Sequence, residues 1–171
     1  MRKILISTII VIGLIFPFTS CEDDYEPGGT PVEEMSGKWT VVYDHSSFGA
    51  DPFGVGKSQI YTFNTADNST TEMWLFDDAN FWDYKVKVPI NLENKTFGTS
   101  DTLVNNIDGY EIKVIVRNGK IIKNGAVPPS GLPVDSIYFE LWFEDLVDYT
   151  GIPNDTLLVS GYRYTGWPED L

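Results

Sequence analysis

The amino-acid sequence predicts an all-β domain. Most segments after residue 36 either alternate apolar and polar residues or are rich in β-branched and aromatic residues. Gly, Asn, Asp and Pro interrupt these segments at short intervals, and no segment has the periodicity of a long helix. We therefore expect an antiparallel meander with strands at 37–46, 58–65, 70–76, 83–90, 95–99, 109–117, 120–127, 136–145 and 156–166.

Two connections between these strands have recognisable sequences. Asn118-Gly119 separates two apolar-rich segments, and this dipeptide is a strong signal for a tight β-hairpin turn. In FDDANFWDY (76–84), Asp77 or Asp78 is placed to cap the backbone amides that follow. A hairpin is therefore expected at the first position and a helical turn at the second.

The alternation along the strand at 136–145 predicts one buried face. Successive side chains of a strand point to opposite sides, so its apolar residues from Ile137 to Phe143 share one side. A meander with one apolar face can hide its edges by closing into a barrel. An eight-stranded barrel is either filled by its own side chains or holds one small ligand. The candidate ligand contacts are Trp39, Tyr43, Phe139, Leu141 and Phe143.

The first twenty residues predict export. Arg2 and Lys3 precede an apolar stretch that starts at Ile4 and ends in small polar residues. The apolar core is about a dozen residues long, whereas a membrane-spanning helix needs about 20. Residues 1–20 are therefore expected to be a cleaved signal peptide.

Cys21, the single cysteine of the chain, directly follows this segment. Its position after Thr19 and Ser20 resembles the processing site of bacterial lipoproteins, where the cysteine is acylated. No second cysteine exists for a disulfide bond, and several acyl chains would make a stable membrane anchor. Residues 21–35 are acidic and then rich in Gly and Pro, which predicts a flexible tether before a barrel domain at 36–171.

The acidic run after Cys21 bears on localisation and partners. It resembles the signal that directs lipoproteins of Bacteroides-type bacteria to the outer face of the outer membrane. We therefore expect an exported protein that is lipid-anchored to the outer membrane and faces the cell surface. The net formal charge of −13 argues against nucleic acid and anionic lipid headgroups as partners.

Two residues give the predicted barrel a more specific likeness. Gly37-Lys38-Trp39 opens the first strand and Arg163 lies in the last, which resembles the calycin pattern shared by lipocalins and fatty-acid-binding proteins. The resemblance implies an up-and-down barrel of about eight strands, in which Trp39 plugs one end and Arg163 packs across it. The alternative is that Trp39 is an ordinary core residue and Arg163 an exposed strand residue.

Three longer segments are similar to one family. FDDANFWDYKVKV, NLENKTFG and SGYRYTGWPEDL resemble a family of Bacteroides-type lipoproteins described as lipid-binding putative hydrolases. This resemblance implies a calycin-like barrel and lipid binding and, through the family description, hydrolysis.

The residues themselves argue against catalysis. His45, the single histidine, stands beside Ser46 and Ser47, but neighbours along a strand point to opposite faces. The sequence has no Gly-x-Ser-x-Gly motif, and a carboxylate pair is the remaining option. Residues 104–115 resemble a calcium-binding loop only in part, since Ile115 stands where the closing Glu is required. We expect no catalytic residue, no metal site and no cofactor.

Three functions follow from these patterns. The favoured one is binding of a small hydrophobic or lipid-like ligand, for which the aromatic residues of EMWLFDDANFWDY (72–84) are suited. The second is a non-catalytic accessory protein whose filled barrel contacts protein or glycan at the cell surface. The third is the hydrolase of the family description.

Three tripeptides predict modification. Asp-(Ser/Thr)-aliphatic sequences resemble the O-glycosylation acceptor of exported Bacteroides-type proteins, and they place candidate sites at Thr102, Ser136 and Thr156. The alternative is that these hydroxyl residues only start strands.

Overall fold

A computed structural model of the protein describes residues 29–171. Within these residues it is almost entirely β-structure, which confirms the predicted fold class. The helical parts are α1 (Leu146–Thr150) and two 3₁₀ turns, at Glu33–Met35 and Pro168–Asp170. The strands are β1 (Gly37–His45), β2 (Ser58–Asn64), β3 (Glu72–Phe76), β4 (Lys85–Asn91), β5 (Thr96–Phe97), β6 (Leu103–Val104), β7 (Lys113–Ala126), β8 (Val134–Phe143) and β9 (Leu157–Arg163).

The strands form one closed antiparallel sheet. Its order is β5-β4-β3-β2-β1-β9-β8-β7-β6, and β5 also pairs with β7, which closes a ring of eight strands. The short β6 pairs with the first residues of β7 and lies outside this ring. Closure removes the free edges that an open sheet would expose. The prediction of an up-and-down barrel of about eight strands is confirmed.

The loops fall at two ends of the barrel because consecutive strands are antiparallel. One end, which we call the base, has the pairing of Trp39 with Arg163 and the turn at Glu33–Met35. At the other end, which we call the mouth, His45 pairs with Leu157. Four loops surround the mouth, at 46–57, 77–84, 105–112 and 144–156.

The predicted hairpin at Asn118-Gly119 is wrong. The chain continues through these residues as β7, with a register shift between Arg117 and Lys120. Both parts of β7 pair with the same strand, β8, so the chain does not reverse. Asn118 has a φ of 54°, and a Cβ on Gly119 would lie 2.4 Å from the Phe97 ring. The turn-forming dipeptide therefore makes a β-bulge, which bends the strand around the barrel.

Residues 77–84 form turns but no helix. Asp77 does cap the chain ahead, because its Oδ2 accepts hydrogen bonds from the amides of Phe81 at 2.8 Å and Trp82 at 3.1 Å. Asp78 and Ala79 have φ angles of 56° and 53°. This left-handed backbone interrupts the helical turn that the sequence predicts.

Side chains fill the interior of the barrel. The apolar face predicted for β8 is buried as expected. Its members are the alternate residues Ile137, Phe139, Leu141 and Phe143. Val32 and Met35 are also buried in this core, so the packed part of the chain begins before residue 36. The largest buried side chains are those of Met35, Trp39, Tyr43, Ile60, Met73, Leu75, Tyr84, Ile137, Phe139, Leu141, Phe143 and Leu146.

Residues 1–20, Cys21 and the first part of the predicted tether lie outside the described residues. From residue 29 onward, the chain contains no helix that is both long and apolar enough to cross a membrane.

Candidate functional site

Trp39 and Arg163 meet at the base of the barrel. The guanidinium carbon of Arg163 lies 4.7 Å from the centre of the Trp39 ring. Arg163 also donates hydrogen bonds to the carbonyl of Ser36 at 2.6 Å and to Asp135 Oδ2 at 3.2 Å. Trp39 Nε1 donates to Thr62 Oγ1 at 2.8 Å. The contact joins the first and last strands, and its role in closing the barrel stays a prediction.

The five predicted ligand contacts are core residues in this structure. Trp39, Tyr43, Phe139, Leu141 and Phe143 are each at most 1% exposed. Phe139 packs on the Phe97 ring at 5.7 Å, and the Phe143 ring packs on Tyr84 at 5.5 Å. A ligand among them would have to displace close-packed side chains, which costs free energy. Their role as ligand contacts stays a prediction.

An open cavity of about 540 Å³ lies at the mouth of the barrel. We call it the aromatic cleft. All four mouth loops contribute to it, so its residues are widely separated in sequence. Of these four loops, only 77–84 was indicated by the sequence patterns as part of a ligand site. The lining residues are Phe53, Val55, Phe81, Trp82, Asp83, Tyr110, Asp145 and Tyr149.

Trp82 connects the aromatic cleft to the core. Its ring stacks on Phe143 with a centroid distance of 4.9 Å and an angle of 9°. The Tyr149 ring meets Trp82 edge-on at 4.9 Å, and the Phe81 and Phe53 rings lie at 5.6 Å and 6.3 Å. Aromatic pairs of this kind contribute about 0.5–1.5 kcal/mol beyond the area that they bury. The floor of the cleft is therefore held by ring packing.

A buried carboxyl holds the loop that carries Phe81 and Trp82. Tyr43 donates its hydroxyl hydrogen to Asp77 Oδ1 at 2.8 Å, and the Tyr84 hydroxyl lies 3.2 Å from that of Tyr43. The other oxygen of Asp77 accepts the two loop amides described above. Burial raises the pKa of Asp77 to about 6, although these hydrogen bonds act in the opposite direction. Asp77 thus bonds the loop that carries Phe81 and Trp82 to Tyr43 of the core, which fixes the position of the cleft rings.

A second carboxyl lies at the cleft itself. Trp82 Nε1 donates to the Tyr110 hydroxyl at 2.7 Å, and that hydroxyl donates to Asp145 Oδ2 at 2.5 Å. Burial and the Asp145 carboxylate raise the pKa of Tyr110 above its usual value, so Tyr110 is a hydrogen-bond donor at neutral pH. Asp145 Oδ1 is buried and has no hydrogen-bond partner among residues 29–171. One oxygen of Asp145 is therefore held in place and the other is left unpaired.

His45 makes a structural contact between two mouth loops. Its Nδ1 accepts hydrogen bonds from the amides of Ser47 at 2.9 Å and Phe48 at 3.0 Å. Nε2 therefore carries the proton and donates to Asp155 Oδ2 at 2.5 Å. Burial opposes ionisation of Asp155, but the hydrogen bonds from His45 and the Thr156 amide keep its pKa below the usual value. Because both ring nitrogens are engaged, His45 has none left to activate a nucleophile.

Asn105 holds the segment that resembles a calcium-binding loop. Its side-chain amide donates to the carbonyls of Asp83 and Tyr110, and its Oδ1 accepts the amide of Lys85. Across residues 29–171, no three His, Cys, Asp or Glu side chains are placed together to hold a metal ion.

The candidate O-glycosylation sites differ in accessibility. Thr102 is exposed in the segment before β6, whereas Ser136 is half-buried within β8. Thr156 Oγ1 accepts a hydrogen bond from Arg117 at 3.1 Å. Modification at these residues stays a prediction, and Thr102 is the most accessible of them.

A second aromatic surface lies on the outside of the barrel. Its rings belong to β2 and β3, and lysine side chains cover them. Lys85 Nζ lies 5.0 Å from the Trp74 ring and Lys87 Nζ lies 5.3 Å from it, which are favourable cation–π distances. We call this surface the outer aromatic face; its rings are Tyr61, Phe63, Trp74 and Phe76.

A comparison with known protein families gives a match that agrees with the barrel fold and the resemblance stated from the sequence. Residues 24–168 match the family described as lipid-binding putative hydrolase. No curated protein matches the sequence. The resemblance stated from FDDANFWDYKVKV and the two other segments is thereby confirmed. The chain belongs to the lipid-binding putative hydrolase family.

Proposed function

We propose that the protein is an exported, outer-membrane-anchored lipoprotein that binds a small hydrophobic or lipid-like ligand at the mouth of its barrel. The observation that carries this proposal is the aromatic cleft, where five aromatic rings surround a cavity of about 540 Å³. Pockets for small ligands typically measure about 300–1,000 Å³ and have mostly apolar walls. Membership of a lipid-binding family supports the same ligand class.

The cleft fits this function better than the barrel interior does. The interior is filled by close-packed side chains, whereas the cleft is open to an incoming chain. Each methylene buried between apolar walls contributes about 0.8 kcal/mol. A chain that places about ten methylenes against these rings would therefore gain roughly 8 kcal/mol, which offsets the cost of association without opening the core.

The position of the tether is compatible with an accessible cleft. Glu34, in the turn before β1, forms an ion pair of 2.9 Å with Lys95 at the base. The tether thus reaches the barrel at the base, and the cleft lies at the opposite end. Attachment of Cys21 to a membrane would leave the mouth on the far side of the domain.

The ligand site is tested with N-phenyl-1-naphthylamine, a neutral fluorescent apolar probe. We expect Trp82→Ala to weaken probe binding at least tenfold, because Trp82 is the central ring of the cleft. Tyr149→Ala is expected to weaken it about threefold or more, and Tyr149 is 68% exposed, so this variant should fold normally. The matched control is Trp74→Ala on the outer aromatic face. Equal affinities for the wild type and both cleft variants would exclude the cleft.

The anchor is tested by Cys21→Ala in the native host. We expect the wild-type protein in the outer-membrane fraction with acyl chains on Cys21, and the variant released in soluble form. Digestion of whole cells with an added protease should remove the wild-type protein if it faces the cell surface. A variant that stays in the membrane fraction at the wild-type level would contradict the anchor.

The outer aromatic face favours a second function, contact with a glycan at the cell surface. Half-buried rings on an outer face suit the apolar faces of sugars where the covering lysines move aside, and lysines beside Trp74 can donate hydrogen bonds to hydroxyl groups. Retention on a glycan matrix that is lost in Trp74→Ala but kept in Trp82→Ala would support this function, and no retention of the wild type would exclude it.

A further inference from the structure

The aromatic cleft has a distinctive charge. Two of its eight lining residues are acidic, Asp83 and Asp145, and none is Lys or Arg. Building on the proposed function, we propose that the ligand is an amphiphile with an ammonium head, such as a long-chain amine or an amine-bearing lipid. The apolar rings would hold its chain, and the carboxylates would bind its cationic head.

Asp145 offers the polar contact for such a head. Its Oδ2 is held by the Tyr110 hydroxyl, which is itself held by Trp82 Nε1. This chain of hydrogen bonds orients the carboxylate and leaves Oδ1 covered and unpaired among the described residues. A buried carboxylate oxygen without a donor is unfavourable, and an N–H group of a ligand would satisfy it once the side chains that cover Oδ1 move aside.

The ring geometry suits the same group. The Trp82 and Tyr149 rings meet at 77°, so they form a corner beside Asp145. Aromatic faces attract ammonium groups through the negative potential above the ring, and cages of such rings recognise quaternary ammonium. The Asp145 carboxylate and the exposed Tyr149 ring in one cleft therefore favour a cation over a neutral group.

A fatty acid fits the cleft less well. Its carboxylate would face Asp83 and Asp145 without a basic partner among the lining residues. The lysines of the neighbouring strand ends are engaged elsewhere, since Lys113 pairs with Glu144 at 3.0 Å and Lys85 lies over the outer aromatic face. The net charge of −13 likewise attracts cations and repels anions at long range.

The test uses three amphiphiles with the same twelve-carbon chain: dodecylamine, dodecanol and dodecanoic acid. Each one competes with N-phenyl-1-naphthylamine for the mature protein at pH 7 and below its micelle concentration. We expect dodecylamine to bind at least tenfold more tightly than dodecanoic acid, with dodecanol between them. Addition of 0.5 M salt should reduce this preference, because salt screens charge interactions.

Asp145→Asn tests whether the Asp145 carboxylate causes the preference for the ammonium head. The variant keeps the side-chain shape, and we expect it to bind dodecylamine about tenfold more weakly while its affinity for dodecanol stays within twofold. Asp83→Asn is a second variant with a smaller expected loss. Asp148→Asn is the control, since Asp148 is exposed on α1 and is not part of the lining.

The outcomes separate this inference from the proposed function. If dodecanol binds and dodecanoic acid binds as tightly as dodecylamine, the ammonium preference is wrong and the hydrophobic site stands. If the preference persists unchanged in Asp145→Asn and Asp83→Asn, the assignment to these carboxylates is wrong. If none of the three amphiphiles displaces the probe, both proposals fail.

Discussion

Replacement of Trp39 with alanine is expected to lower the free energy of unfolding by about 3–5 kcal/mol. Trp39 is fully buried, and its indole donates to Thr62 Oγ1, which in turn donates to the carbonyl of Met35 at 2.6 Å. The substitution would leave a large cavity, a Thr62 hydroxyl that has lost its donor and an Arg163 guanidinium without its aromatic partner. Urea denaturation of the mature protein, followed by circular dichroism, measures this loss.

Two further variants make this measurement specific to the base. Trp167→Ala removes a tryptophan that is 51% exposed, so we expect a change within about 0.5 kcal/mol. Trp39→Phe keeps an aromatic ring under Arg163 but loses the bond to Thr62, and its loss should be intermediate. A loss below about 1 kcal/mol in Trp39→Ala would contradict the role of Trp39 as the closure of this end.

The stability of the protein is expected to contain a component from Asp77 that falls as the pH rises. The pKa of Asp77 is about 6 in the folded protein, against an ordinary value of 3.8, because burial disfavours its charged form. The folded state therefore binds this proton more tightly than the unfolded state. The stabilisation is fully present below about pH 4 and is lost as the pH rises through 6, by roughly 3 kcal/mol in total.

Asp77→Asn isolates this component from the other carboxyls. The free energy of unfolding of the wild type, relative to the variant, should fall by roughly 2 kcal/mol between pH 4 and pH 7, because the unfolded carboxyl is already about half ionised near pH 4. Asp155 and Glu34 have lowered pKa values and act in the opposite direction in both proteins. Asp78→Asn, at an exposed neighbour, is the control. A difference between wild type and Asp77→Asn that does not change with pH would refute the assignment.

Much of the barrel could be predicted because its signals are local. Alternating side chains along residues 136–145 set the buried face of β8, and the described structure has that face in the core. The calycin-like pattern anticipated that Trp39 and Arg163 would meet, and they are paired residues of β1 and β9. The buried face follows from the two-residue period of a strand, which a sequence displays directly, whereas the contact of Trp39 with Arg163 was implied by the resemblance to calycins.

The error at Asn118-Gly119 shows where local signals end. The dipeptide accepts a left-handed backbone, which both a tight turn and a β-bulge require. Pairing of both flanking segments with β8 decides between them, and the contact of Gly119 with Phe97 explains the glycine. Neither contact is visible in the dipeptide itself.

The sequence by itself determined the fold class, the family and the burial pattern of the strands. The tertiary structure alone decided which residues line the aromatic cleft. The aromatic cleft takes Phe53, Trp82, Tyr110 and Tyr149 from four separate loops. Likewise, His45 meets Asp155 across 110 positions of the chain. Periodicity reports how each strand is buried, but barrel closure determines which loops meet at the mouth, so the chemistry of the site follows from long-range packing.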